Sequence, residues 1–123
     1  MSGRFATVSD PASPHPGLPV AVASLDEECA RLAVWPDLLK IDIEGFEWEA
    51  LQGARQLLST HHPVLFLELH LDLLEKRGIR PKELVDYLRG FGYVFATPAG
   101  KTLAPANVYD AVDVISRVVA KVG

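Results

Sequence analysis

One cysteine, Cys29, stands in the 123 residues, so neither an internal disulfide nor a multi-cysteine metal site can form. A lone thiol fits a reducing compartment. Basic residues are few and scattered: 12 Lys and Arg stand against 16 Asp and Glu, for a formal net charge of −4. No basic stripe is present to follow a phosphate backbone, which argues against a nucleic-acid partner. Long hydrophobic runs are missing too. The apolar stretches are short and broken by Glu, Lys or Pro, so nothing reads as a membrane span. After Arg4 the N-terminal segment carries Asp10, Pro11, Pro14 and Pro16 in place of an apolar stretch. No signal peptide is read there, and the cytoplasm is the expected location. Internal repeats and low-complexity tracts are absent. What remains is an ordinary globular composition, 49% apolar and 23% charged. The length suits one domain, because two would each be too small for a good core.

Residues 1–18 read as a Pro-rich flexible arm, since its prolines deny it a helix or a central strand. Val20 to Ala23 reads as a short strand. Ser24-Leu25-Asp26-Glu27 has the form of a capping box, and Leu25, Cys29 and Leu32 follow on one helical face. Leu38 to Ile43 (LLKIDI) predicts a strand, and Phe46 to Ser59 a helix with Leu51, Ala54 and Leu58 on one face. Glu44, Glu47 and Glu49 crowd the start of that helix, where its dipole favours carboxylates. Glu47 and Glu49 are read as helix-end charges. Val64 to Leu69 (VLFLEL) is the pattern of a strand covered on both faces, which gives a right-handed βαβ unit. Leu71 to Arg77 forms a helical turn or two. Pro81 opens a helix whose apolar stripe is Leu84, Val85, Leu88 and Phe91, stopped by Gly92. Tyr93 to Thr97 reads as a strand, residues 98–101 as a turn and 111–117 as a strand.

In open parallel sheets ligands bind beyond the carboxyl ends of the strands. The first strand delivers Lys40, Asp42 and Glu44 on one parity, and the second delivers Glu68 and His70. Side by side, these strands bring three carboxylates and an imidazole to one rim. Asp42, Glu44, Glu68 and His70 are therefore the candidate catalytic residues, with mutual repulsion and burial raising a carboxylate toward use as a general base. An acid within an apolar strand costs several kcal/mol unless paired or wetted, which singles out Asp42. Asp42 paired with Lys40, or capping the amides after Gly45, is the plain alternative. Asp, Glu and His together would suit a hard divalent ion. No ligand spacing is diagnostic, so no metal is assigned. His61 and His62 read as solvated loop residues, and Trp35 and Trp48 as packing.

Four stretches carry a family resemblance: PVAVASLD (19–26), DLLKIDIEGFE (37–47), LQGA (51–54) and PVLFLE (63–68). In order and spacing they resemble the second half of the FkbM-type methyltransferases, over residues 19–97. The resemblance implies an α/β fold: part of a class I, Rossmann-like sheet, mainly parallel with an antiparallel edge, and helices on its faces. LLKIDI would be its fourth strand and VLFLEL its fifth, with the Tyr93 and Val112 regions the last two. It implies S-adenosylmethionine as cofactor and a small-molecule or glycan hydroxyl as acceptor. The family's donor site starts with a glycine-rich turn after the first strand and an acid ending the second. Residues 1–18 hold no Gly-x-Gly turn, so weak donor binding by the chain alone is expected. Residues 19–123 then form a half-domain, and the apolar edge of strand 38–43 is expected to pair with a second copy or a partner chain. A non-catalytic assembly subunit and a small metal-dependent hydrolase are the competing functions.

Overall fold

A computed structural model describes residues 4–8, 18–103 and 115–123. Strands β1 (Arg4–Val8) and β2 (Leu18–Val22) pair antiparallel. The segment expected to be an arm thus contributes a strand, and its prolines at 11, 14 and 16 lie outside the described residues. There follow α1 (Leu25–Leu32), β3 (Leu38–Ile41), α2 (Glu47–Gln52), α3 (Arg55–Thr60), β4 (Val64–His70), α4 (Leu71–Lys76), α5 (Pro81–Arg89), β5 (Tyr93–Ala96), β6 (Thr102–Leu103) and β7 (Ile115–Val122).

The main sheet has the order β3-β4-β7-β5-β6. Among the described residues β3 and β4 alone pair parallel, and the other pairings in this sheet are antiparallel. The sheet is therefore mostly antiparallel, which corrects the expectation of a mainly parallel one. The cause is β7, which enters between β4 and β5 and runs against both. Of the strand expected at 111–117, residues 115–117 belong to β7 and 111–114 lie outside the described residues.

The helices also differ from expectation, since among the described residues one sheet face alone is deeply covered. Leu65, Leu67 and Leu69 of β4 are buried, together with Ile41, Tyr93, Phe95, Val118 and Ala120 from its neighbours. Leu51, Leu58, Leu74, Leu84 and Leu88 of the helices join them in one core. The opposite parity carries Leu38, Lys40, Phe66, Val94 and Arg117, all exposed. VLFLEL is thus half-covered, not covered on both faces. Going from β3 to β4 to β5, the chain steps the same way across the sheet. Right-handed connections then lay all their helices on the same side.

Tertiary bonds break the helix expected over 46–59. The Gly53 carbonyl accepts from the Asp26 N–H at 2.9 Å, and the Asp26 carboxylate accepts from the Gln56 and Leu57 amides at 2.8 and 2.9 Å. The chain therefore ends α2 at Gln52 and restarts as α3. At the start of α1, the Ser24 hydroxyl accepts from the Glu27 N–H at 3.0 Å, the first half of a capping box. Cys29 is buried, and burial with the charges of Asp26 and Glu28 pushes its thiol up. Leu32, expected on the same buried face, is exposed instead. Among the described residues no helix is long and apolar enough to cross a membrane.

Candidate functional site

The expected strand LLKIDI ends at Ile41, two residues early. Asp42 therefore lies just past the sheet, exposed to water, and not inside an apolar strand. Ile41 is level with Leu67 in the parallel register, which sets Asp42 beside Glu68. β4 continues to His70. Asp42 Oδ1 lies 3.7 Å from His70 Nε2. One ligand-type atom from each of Asp42, Glu68 and His70 falls within 4.8 Å of the others, so these three expected residues do meet. Glu44 does not join them. It occupies the turn after β3 with a left-handed φ of 51°, exposed.

That turn is held from below by a residue whose role was not foreseen. Glu47 has no exposed surface. Its Oε2 accepts from the Gly45 N–H at 2.7 Å, and its Oε1 accepts from the His70 N–H at 2.9 Å. The same Oε1 lies 3.2 Å from His70 Nδ1. Glu47 thus ties the turn after β3 to the end of β4. Gly45 is required where it stands: its φ is +98°, and a Cβ there would come within 2.8 Å of Leu73 Cβ. Arg77 braces the same turn, donating to the Gly45 carbonyl and to Glu49, with its guanidinium carbon 4.2 Å from the Phe46 ring centroid. Glu49, unlike Glu47, is an exposed partner in an ion pair.

The electrostatics follow from these contacts. Burial alone would push the His70 imidazole down. The hydrogen bond to Glu47 and the charges of Glu47, Asp42 and Glu68 outweigh it, and its pKa lies above the ordinary histidine value. With Nδ1 turned to Glu47, Nε2 faces Asp42. Arg117 donates from Nε to Glu68 Oε1 at 2.7 Å. Beside that pair opens a cavity of about 170 Å³, lined by Lys40, Phe66, Glu68 and Pro98 among others. Such a rim can bind a hydroxyl, accept its proton or hold a divalent ion. His61 and His62 take no part in the rim; both are exposed, and His61 stacks on Trp35 with ring centroids 4.4 Å apart.

A signal for Glu47 does exist in the sequence. Glu47, Leu51, Ala54 and Leu58 recur at helical spacing, and all four are buried. An acid on the apolar stripe has a partner inside.

The family model of the methyltransferase FkbM domain matches residues 6–95. The chain belongs to the FkbM methyltransferase family. The FkbM match begins thirteen residues earlier than the resemblance read from motifs, within β1, and spans Asp42, Glu44, Glu47, Glu68 and His70. Arg117 lies beyond it. No curated protein and no solved structure matches the chain.

Proposed function

We propose that this FkbM domain supplies the acceptor side of an S-adenosylmethionine-dependent O-methyltransferase whose substrate is a hydroxyl on a small molecule or glycan. The rim of Asp42, Glu68 and His70, held by Glu47 at the end of the parallel pair, is the observation that carries the reading. Asp42, exposed at the rim, takes the hydroxyl proton. Glu68 and His70 orient the oxygen, so that positioning supplies much of the rate. Glu44 stands at the mouth of the turn, open to the acceptor.

S-adenosylmethionine would supply the methyl group, and among the described residues no Gly-x-Gly turn follows a strand to hold it. The loop after β3, 42–46, has a single glycine, and the space over Gly45 is filled by Leu73. A Cβ at Gly53 would come within 3.0 Å of Ser24 Cβ. Gly53 lines a cavity of about 560 Å³ together with Val22, Ser24, Ile43 and Phe46.

The test is transfer of labelled methyl from S-adenosylmethionine to a panel of alcohols and glycans. The chain is assayed alone and with a glycine-rich amino-terminal half of an FkbM enzyme added in trans. Transfer is expected in the supplemented mixture, and about 100-fold less with Asp42→Asn. Transfer that Asp42→Asn leaves unchanged, or none in either mixture, overturns the reading. Calorimetry on the chain alone should find no micromolar donor binding. The meeting of Asp42, Glu68 and His70 also favours a metal-dependent hydrolase. Hydrolysis of an activated ester or phosphoester that needs added metal ion would establish that alternative.

A further inference from the structure

We propose that Asp42, Glu68 and His70 form a binding site for a divalent cation that accepts mixed carboxylate and imidazole donors, of the Mn²⁺ or Mg²⁺ kind. Two carboxylates and one imidazole are a usable donor set for such ions. The spacing supports a shared ligand between them more than direct bonds. Asp42 Oδ1 and His70 Nε2 are 3.7 Å apart, too far for a hydrogen bond. Two ligands each about 2.0–2.2 Å from one ion lie roughly 3–4 Å apart.

A separate observation outside the rim points the same way. Glu47, wholly buried, engages His70 Nδ1 and the His70 amide, which fixes the ring and leaves Nε2 to face Asp42. A carboxylate holding the far nitrogen of an imidazole is how proteins orient metal-binding histidines. Glu47 positions the ring and is itself no ligand, because both its oxygens are taken by Gly45 and His70. Arg117 occupies Oε1 of Glu68, and a carboxylate has a second oxygen to offer. The exposure of Asp42 gives the ion a path in, and three protein ligands leave positions for water or for an acceptor oxygen.

The experiment is titration of the full chain with Mn²⁺ alone, followed by calorimetry and electron paramagnetic resonance, with Mg²⁺ as competitor. One saturable site per chain is expected, with nitrogen coupling from an imidazole in the resonance spectrum. Asp42→Asn should weaken binding at least about tenfold and Glu47→Gln by about tenfold. His70→Gln should abolish the nitrogen coupling, and Glu83→Gln on α5 should change nothing. Asp42 is exposed, so its variant is expected to keep the circular dichroism of the parent and decides the matter if His70→Gln does not fold. Absence of a saturable site at millimolar Mn²⁺, or binding that Asp42→Asn leaves unchanged, overturns the proposal. No donor or acceptor is present in this titration, so failure here leaves the methyltransferase reading to its own assay.

Discussion

A carboxyl group with no exposed surface persists only where donors replace its water. Glu47 has the Gly45 amide, the His70 amide and the His70 ring. Glu47→Ala would strand two backbone amides and cost about 2–4 kcal/mol, measured by urea unfolding. The partner has a pH signature. Because the folded-state pKa of His70 is raised, the stability it contributes is fully present below about pH 6.5, its unfolded value. That stability is lost as pH rises through the folded value. Urea midpoints of the parent should carry this fall and those of His70→Gln should not, while nuclear magnetic resonance should find the His70 pKa lowered in Glu47→Gln. At this scale the meeting of Asp42, Glu68 and His70 was legible in the sequence, since strand parity and an in-register parallel pair bring them to one rim. Glu47 reads as a helix-end charge, because the dipole alone accounts for an acid there and its place on the stripe of Leu51, Ala54 and Leu58 is given no weight. Asp42 was placed correctly at the rim for an incomplete reason: it stands past the strand, where water reaches it.

Between elements, single polar side chains do the joining. Asp26, at the start of α1, caps α3 across thirty residues of chain. Asp26→Ala should cost about 1 kcal/mol, read from thermal unfolding. Tyr93 on β5 donates its hydroxyl to the Pro63 carbonyl at 2.7 Å, fixing the entry to β4. Burial pushes that hydroxyl up to about 12. An unfolded tyrosine titrates near 10, so the chain should lose stability as pH climbs from about 10 to 12. Tyr93→Phe should start about 1–2 kcal/mol less stable and lack that loss. Strands β3, β4 and β5 and helix α5 were readable because apolar runs, Pro81 and Gly92 mark them locally. The break at Gly53 was not, because what stops α2 is the Asp26 amide, reached from far away in sequence. The direction of β7 is likewise invisible to any local pattern, since only its partners decide it.

For the molecule as a whole, the open side of β3 is the salient surface. Among the described residues β3 pairs with β4 alone. Leu38 is 55% exposed, with Ile43 and Phe46 exposed beyond it. An apolar edge of this kind recruits another strand. We propose that a second copy or a partner chain pairs there. Sedimentation velocity should show association that Leu38→Lys weakens; a monomer at all concentrations, without a partner, would count against it.

The place of β7 has one more outcome. This strand is the latest in chain order, yet it lies at the middle of the sheet, joining the β3-β4 pair to the β5-β6 pair. Among the described residues no strand but β7 joins the two pairs, so before residues 115–122 are made neither pair has its neighbour in the sheet. Without residues 115–122 the facing backbone edges of β4 and β5 are unpaired, and edges of that kind are open to misassociation.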